Sequence, residues 1–239
     1  MLASGSYYPV LTTRAAMLDL SIAMVSCFRP DLPLSTAVRW LQDGGFQRPL
    51  RVFSDPRPQT TLADATISVN ERKLGGWENW RQAATWLVEK TASRYLMLVE
   101  DDVEYCQGAY AAIASKIRAC PDFSVLNLYF SERDYIDIGS NTLGWFCHNR
   151  GYEQHGTLAL VFDRLGGIAE YLHDVRDVRQ NGHRLVSYDK LLFQWLADHN
   201  KTNVWTHNPS LVDHVGFRSR LRHADHPGRR GHGFCAGFH

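Results

Sequence analysis

The sequence predicts an α/β fold: a mainly parallel sheet covered by helices on both faces. Two observations predict it. Short, almost wholly apolar runs alternate with segments of helical periodicity through the first hundred residues. Those runs are apolar at consecutive positions, as strands buried on both faces require, with none of the in-out alternation of a half-exposed sheet.

Leu20 to Val25 reads as the first strand, ending at Cys27-Phe28-Arg29-Pro30. Leu34, Ala37, Val38 and Leu41 recur at helical spacing, with Asp31 or Ser35 as cap and Gly44-Gly45 as stop. Leu50 to Ser54 is a second strand that ends at Asp55-Pro56, and Thr66 to Val69 a third. After Gly75-Gly76, residues Trp77, Trp80, Ala83, Ala84, Leu87 and Val88 mark one face of a long helix. Trp77, Trp80 and Trp86 read as core and sheet-packing residues. Tyr95 to Val99 is the next strand, followed by a helix at Tyr110 to Ile117 and a strand at Val125 to Phe130. The second half is less regular, with strands at Leu143 to Cys147, Leu158 to Phe162 and Asn203 to Thr206. Its helices fall near Leu165 to Leu172 and Lys190 to Leu196.

At ~150 residues per domain, a chain of 239 residues makes one large domain or two small ones. No linker, repeat or low-complexity block divides it, so residues 1–216 read as one domain. Within it, 20–103 form a ligand-binding half and 104–216 an acceptor-side half, with a Gly/Arg/His-rich tail at 217–239. The 26 basic and 25 acidic residues leave a net charge of +1, so no global field recruits nucleic acid or anionic membrane. Five scattered cysteines suit reduced thiols better than a disulfide framework. Neither a signal peptide nor an apolar run of ~18 residues is found, which predicts a cytoplasmic protein without a transmembrane segment.

The chemistry concentrates at Glu100-Asp101-Asp102, directly after the apolar Tyr95 strand. Clustered carboxylates repel one another unless a cation compensates them, and hard oxygen ligands suit Mg²⁺ or Mn²⁺ bridging to substrate phosphates. Ligands of open α/β sheets bind beyond the carboxyl ends of the strands, where these acids fall. The run Tyr-Leu-Met-Leu-Val-Glu-Asp-Asp-Val at 95–103 resembles the strand and DxD-type motif of GT-A fold glycosyltransferases. Asn79-Trp80-Arg81-Gln82-Ala83 and Pro209-Ser210-Leu211-Val212-Asp213-His214-Val215-Gly216 are similar to two further patterns of that group.

The resemblance implies a GT-A fold with a Rossmann-like sheet and a metal-dependent transfer of sugar from a nucleotide-sugar donor, UDP-linked first of all, to a hydroxyl acceptor, with inversion. It implies that Asp102 ligates the cation directly, that Glu100 contacts the donor ribose or a bound water, and that Asp101 supports the turn between them. His214 is implied as a distant metal ligand; on local chemistry alone it is a hydrogen-bonded structural histidine. Ser26 and Arg29 would flank the nucleotide. Asp55 would meet its base or ribose, although it reads equally as a turn cap before Pro56. Arg81 would either face the donor phosphates or sit on a solvated helix face.

Transfer to a hydroxyl needs a base beside the acceptor oxygen. Asp189, in Ser187-Tyr188-Asp189-Lys190, resembles the helix-start acid that serves as base in inverting relatives, and is locally also a helix cap. Asp163 and Asp137 are lesser candidates. Gly156 to Phe162 resembles the strand beneath the sugar, with a small residue leaving space for substrate. Tyr152, His155 and Trp145 are either acceptor-stacking or buried aromatics.

The tail packs Arg218, Arg220, Arg222, His223, His226, Arg229, Arg230 and His232 into one stretch. It would close over the diphosphate, contact a phosphate-bearing acceptor such as nucleic acid, or stay solvated. His223, His226, His232, Cys235 and His239 also permit a structural zinc, at spacings of no standard finger. Two rival functions stand beside the transferase. One is a nucleotidyltransferase, which would want a Gly-rich cationic loop where Ser26 to Pro30 stands. The other is a nucleic-acid-binding or nucleic-acid-modifying protein, with nucleic acid as a possible glycosyl acceptor. Oligomeric state is not legible.

Overall fold

A computed structural model of the chain describes residues 17–47, 50–58, 60–131, 142–148, 156–176, 188–215 and 233–234. The parallel half forms as its apolar runs require. Strand β1 (Leu20–Ser26) lies between β2 (Leu50–Ser54) and β4 (Tyr95–Glu100), and β3 (Ala65–Val69) pairs with β2, all in parallel. Helix α1 (Leu34–Asp43) joins β1 to β2 and buries Leu34, Ala37, Val38 and Leu41, the four residues whose spacing predicts it. Helix α2 (Gly76–Lys90) joins β3 to β4 and buries Trp77, Trp80, Ala83, Ala84 and Leu87.

Both faces of β4 are covered. Tyr95, Met97 and Val99 enter one core with α1 and with α3 (Ala109–Ala119), while Leu96 and Leu98 enter the other with α2. Period-two side chains that are apolar on both faces explain the unbroken Tyr95 to Val99 run. Trp77 and Trp80 stack at 5.9 Å in the α2 core, as read from the sequence, whereas Trp86 is half-buried and packs on Phe53 at 5.8 Å.

The second half departs from simple alternation. The sheet runs β3-β2-β1-β4-β8-β6-β9-β7, in which β6 is Val125–Asn127, β7 Gly144–His148, β8 Ala159–Asp163 and β9 Val204–Asn208. Strand β8 inserts antiparallel between β4 and β6, and β7 is antiparallel to β9. The strand expected to reach Phe130 leaves the ladder after Asn127, whose Oδ1 accepts the Tyr129 N–H at 3.1 Å and turns the chain. The helix expected from Leu165 is split into a 3-10 turn (Arg164–Gly166) and α4 (Ile168–Asp174), because Gly167 between them takes φ 109. Helix α5 spans Tyr188–Asp198.

A two-stranded sheet was not anticipated. Residues Val103–Tyr105 form β5, antiparallel to β10 (Val212–His214), with Val103 opposite His214. Among the described residues no helix is long and apolar enough to cross a membrane.

On β9, His207 is 5% exposed, with Nδ1 donating to the Pro209 carbonyl at 2.7 Å in its neutral form. Burial lowers its pKa below the usual 6.5, the bond to Pro209 opposing. A depressed pKa in the folded state means that this stability is complete above pH 6.5 and is lost as pH falls through the folded value. Denaturant titrations at successive pH values should therefore show a loss on the acid side of neutrality that His207→Gln reduces.

Candidate functional site

Strand register assembles the corner. Ser26 ends β1 opposite Ser54 of β2, and Val25 lies opposite Glu100 of β4, so the next residues, Ser26 and Asp101, meet at the carboxyl edge. Ser26 Oγ donates to Asp101 Oδ2 at 2.5 Å. Asp101 and Asp102 form the turn from β4 into β5 and are only 4% and 3% exposed.

Pairing of β5 with β10 brings a residue 112 positions away to the same point: His214 Nε2 stands 2.9 Å from Asp102 Oδ2. The Val215 N–H donates to the Asp102 carbonyl at 3.0 Å and secures the approach. Arg29, from the loop after β1, hydrogen-bonds Asp102 Oδ2 through Nη1 and lies 3.6 Å from Asp101 Oδ1 through Nη2. Asp102 Oδ1 is buried and has no hydrogen-bond partner among the described residues.

The two aspartates diverge electrostatically. Burial pushes Asp101 up to about 6, against the pull of Arg29 and with Asp102 adding to the rise. Burial acts on Asp102 too, but the hydrogen bond and charge of His214, with those of Arg29, hold it down at about 2. His214 is raised: burial opposes its imidazolium, and the bond and charge of Asp102 prevail. Cys27, beside them, is pushed up to about 11 by burial, then by Asp101 and Asp55, which makes it a poor nucleophile.

The other predicted residues fall at graded distances from this centre. Glu100 is half-buried, and its Oε1 accepts from Thr157 Oγ1 at 3.3 Å. Asp55 is buried and accepts the Leu74 N–H at 3.1 Å, a bond across 19 residues that holds the loop before α2. Arg81 spends its guanidinium on Glu78, one turn back on α2, at 2.8 Å, the helix-face alternative of the sequence reading. Asp101 does more than support a turn, since it is the acceptor for Ser26 and a partner of Arg29.

Asp189 opens α5. Its Oδ1 accepts the Lys190 N–H at 2.8 Å and its Oδ2 the Gly156 N–H at 2.9 Å. Gly156 precedes Thr157, so Asp189 and Glu100 brace adjacent residues just before β8. A Cβ at Gly156 would stand 3.0 Å from the Tyr129 ring, so the missing side chain admits that ring. Asp163 is corrected by register. It lies opposite Tyr95, at the amino end of β4, five residues or ~16 Å from Glu100, and it pairs with Arg94 at 3.1 Å. Trp145 is half-buried, edge-on to His207 at 5.1 Å. Asp137, Tyr152, His155 and the tail positions named above lie outside the described residues.

Two residues escape the sequence reading. Arg57 reaches Ser54 Oγ through Nε at 2.5 Å and hydrogen-bonds Ser26 Oγ through Nη2, with its guanidinium 5.9 Å from the Phe28 ring centre. A cation two residues beyond Asp55 was the available signal. Asn79, fully buried on α2, donates to the Ser26 and Phe53 carbonyls at 3.3 and 3.1 Å and ties the ends of β1 and β2 together. Only its place in the α2 motif hinted at this.

No protein-family model matches the chain, and no curated protein matches its sequence. Solved structures do. GalNAc-T7, solved with UDP, GalNAc and Mn²⁺, aligns at TM-score 0.55 and 10% identity over 81% of this chain and 43% of that one. The fold is the GT-A fold. The S. aureus TarS 1–349 structure aligns at TM-score 0.48 and 13% identity, over 78% of this chain and 57% of that one. A197 from STIV gives 0.43 and 10%, over 81% and 83%. The chain thus spans less than half of the GalNAc-T7 chain, and at such identity the likeness is one of fold.

Among the described residues no three His, Cys, Asp or Glu side chains converge as a ready cation site. Two do: Asp102 and His214. Their 2.9 Å separation fits adjacent positions on one octahedral cation, where ligands at ~2.1 Å lie ~3 Å apart, and Asp102 Oδ1 is a buried acceptor still without a donor. A carboxylate and an imidazole suit Mn²⁺ in particular, and a site of this kind completes its shell with water and phosphate oxygens.

Proposed function

We propose that this chain is a metal-dependent glycosyltransferase that moves a sugar from a nucleotide-sugar donor, UDP-linked first of all, to a hydroxyl acceptor, a glycan or a nucleic acid, with inversion. The observation that carries the reading is the convergence of Asp102 and His214 at the carboxyl edge of β1 and β4, in a GT-A fold. Asp102 and His214 would hold Mn²⁺ or Mg²⁺. Bound there, the cation supplies Lewis-acid stabilisation of the departing nucleoside diphosphate.

The chain's own groups divide the remaining work. Ser26, Asp55 and Arg57 sit at the ends of β1 and β2, where the nucleotide would lie, and Glu100 flanks the ribose side. Arg29, by leaving the two aspartates, and Arg57 would offer guanidinium groups to the diphosphate. Arg81 would join them only by leaving Glu78. Asp189 is the base. Its two backbone donors fix the carboxylate plane, and each oxygen keeps a lone pair for a proton. The acceptor oxygen attacks the anomeric carbon, the bond from that carbon to the diphosphate oxygen breaks with its electron pair staying on the diphosphate, and the hydroxyl proton passes to Asp189.

A screen of nucleotide sugars with and without Mn²⁺ tests the reading. Metal-dependent release of the nucleoside diphosphate from one donor is the expected result; no turnover of any sugar nucleotide, and no thermal stabilisation by UDP with Mn²⁺, would exclude it.

A further inference from the structure

The acid corner already contains a cation. Arg29 takes Asp102 Oδ2, the same oxygen that His214 Nε2 approaches at 2.9 Å, and spans to Asp101 at 3.6 Å. Its side chain is 19% exposed, against 6% and 4% for the two aspartates. A divalent ion held by Asp102 and His214 must take the Oδ2 side, because Nε2 faces that oxygen. Two cations in contact with one carboxylate oxygen repel strongly at this depth. Arg29 and the ion therefore exclude each other from Oδ2.

A displaced Arg29 is itself costly unless it finds another anion. Its planar fork matches a phosphate as well as a carboxylate, and the donor's diphosphate is the anion that arrives with the metal. We propose that Arg29 is the resident counter-cation of the acid corner, and that a divalent cation and the donor diphosphate bind cooperatively because Arg29 leaves the aspartates for one and pairs with the other. This rests on the transferase reading above. Coupling of this kind is reciprocal: whatever factor the diphosphate adds to metal affinity, the metal adds to diphosphate affinity.

The test is Mn²⁺ binding, by calorimetry or by the electron paramagnetic resonance of free Mn²⁺, with and without UDP, in the wild type, Arg29→Met and Arg29→Lys. Wild type should bind Mn²⁺ weakly alone and about tenfold more tightly with UDP present, within the usual range of coupling. Arg29→Met should bind Mn²⁺ alone about tenfold more tightly than wild type and gain less from UDP than wild type does, because only the direct contact of phosphate with the metal then couples the two. Arg29→Lys keeps the charge but cannot span both carboxylates, and should fall between the two. It also preserves the test if the Met variant, with its buried acids uncompensated, fails to fold. Equal Mn²⁺ affinity in all three forms, with UDP adding the same factor to each, overturns the role of Arg29 and leaves the metal site standing. An absence of Mn²⁺ binding in every form, with or without UDP, overturns both.

Discussion

Asp102→Asn is expected to lower metal-dependent transfer by about a thousandfold, some 4 kcal/mol of transition-state stabilisation, with most of the loss in kcat/KM and in Mn²⁺ affinity. The substitution keeps the shape and removes the charge. In the native corner that charge is secure: Asp102 titrates at about 2 although it is 3% exposed, because His214 and Arg29 both address its carboxylate. Its neutral replacement leaves Arg29 with Asp101 alone and returns His214 toward its ordinary range, since the bond and charge of Asp102 are what raise it. The folded state should also lose an acid-side signature. A carboxyl at about 2 when folded and 3.8 when unfolded contributes stability that is complete above pH 3.8 and lost as pH falls through 2, and Asp102→Asn abolishes that arm. Steady-state kinetics against Mn²⁺ concentration, alongside thermal melts, separate the two effects. Full transfer with unchanged metal dependence in this variant would remove Asp102 from the site.

Asp189→Asn should lower kcat for transfer by about a thousandfold while leaving the donor KM within about twofold of wild type, since a general base contributes 10²–10⁴ and acts only on the acceptor proton. Asn keeps the side-chain volume and one acceptor oxygen. The second oxygen becomes an NH₂ group facing either the Gly156 or the Lys190 N–H, at a cost of about 1–3 kcal/mol in stability. A melt must therefore accompany the kinetics. If the variant is folded and transfers at the native rate, Asp189 is a helix cap and nothing more. A variant that loses donor binding together with kcat would place Asp189 at the nucleotide instead, contrary to its position in the first turn of α5.

The legible part of this site is the part that follows a strand. Tyr95 to Val99 is apolar at every position, and its end announces the acids of Glu100 to Asp102 at a sheet edge. Ser26 and Asp55 were likewise readable as the ends of β1 and β2. His214 was reached only through resemblance to a known pattern, because nothing around it predicts the β5 and β10 pairing that carries it to Asp102. Arg57 is silent in the sequence, because a lone arginine after Asp55-Pro56 carries no periodic signal. Arg29 was placed beside the nucleotide, and its bond to Asp102, 73 residues on, was not foreseen. Asp163 misled in the opposite sense. It ends a strand, as a site residue should, but that strand runs antiparallel to β4 and delivers it to the far edge.

What the amino-acid order determined alone is the alternation of elements, the two-faced burial of β1 and β4, and the acids at the carboxyl ends of β2 and β4. These depend on local periodicity and on apolar area leaving water, and both act on neighbours in the chain. The tertiary structure decided the direction of β8, the partner of β5, the cation seated on Asp101 and Asp102, and the bracing of Asp189 against Gly156. Each joins side chains or strands tens of residues apart, and such a pairing is chosen by which folded arrangement leaves fewest buried charges and backbone groups unpaired, a property of the whole packed chain that no short segment carries.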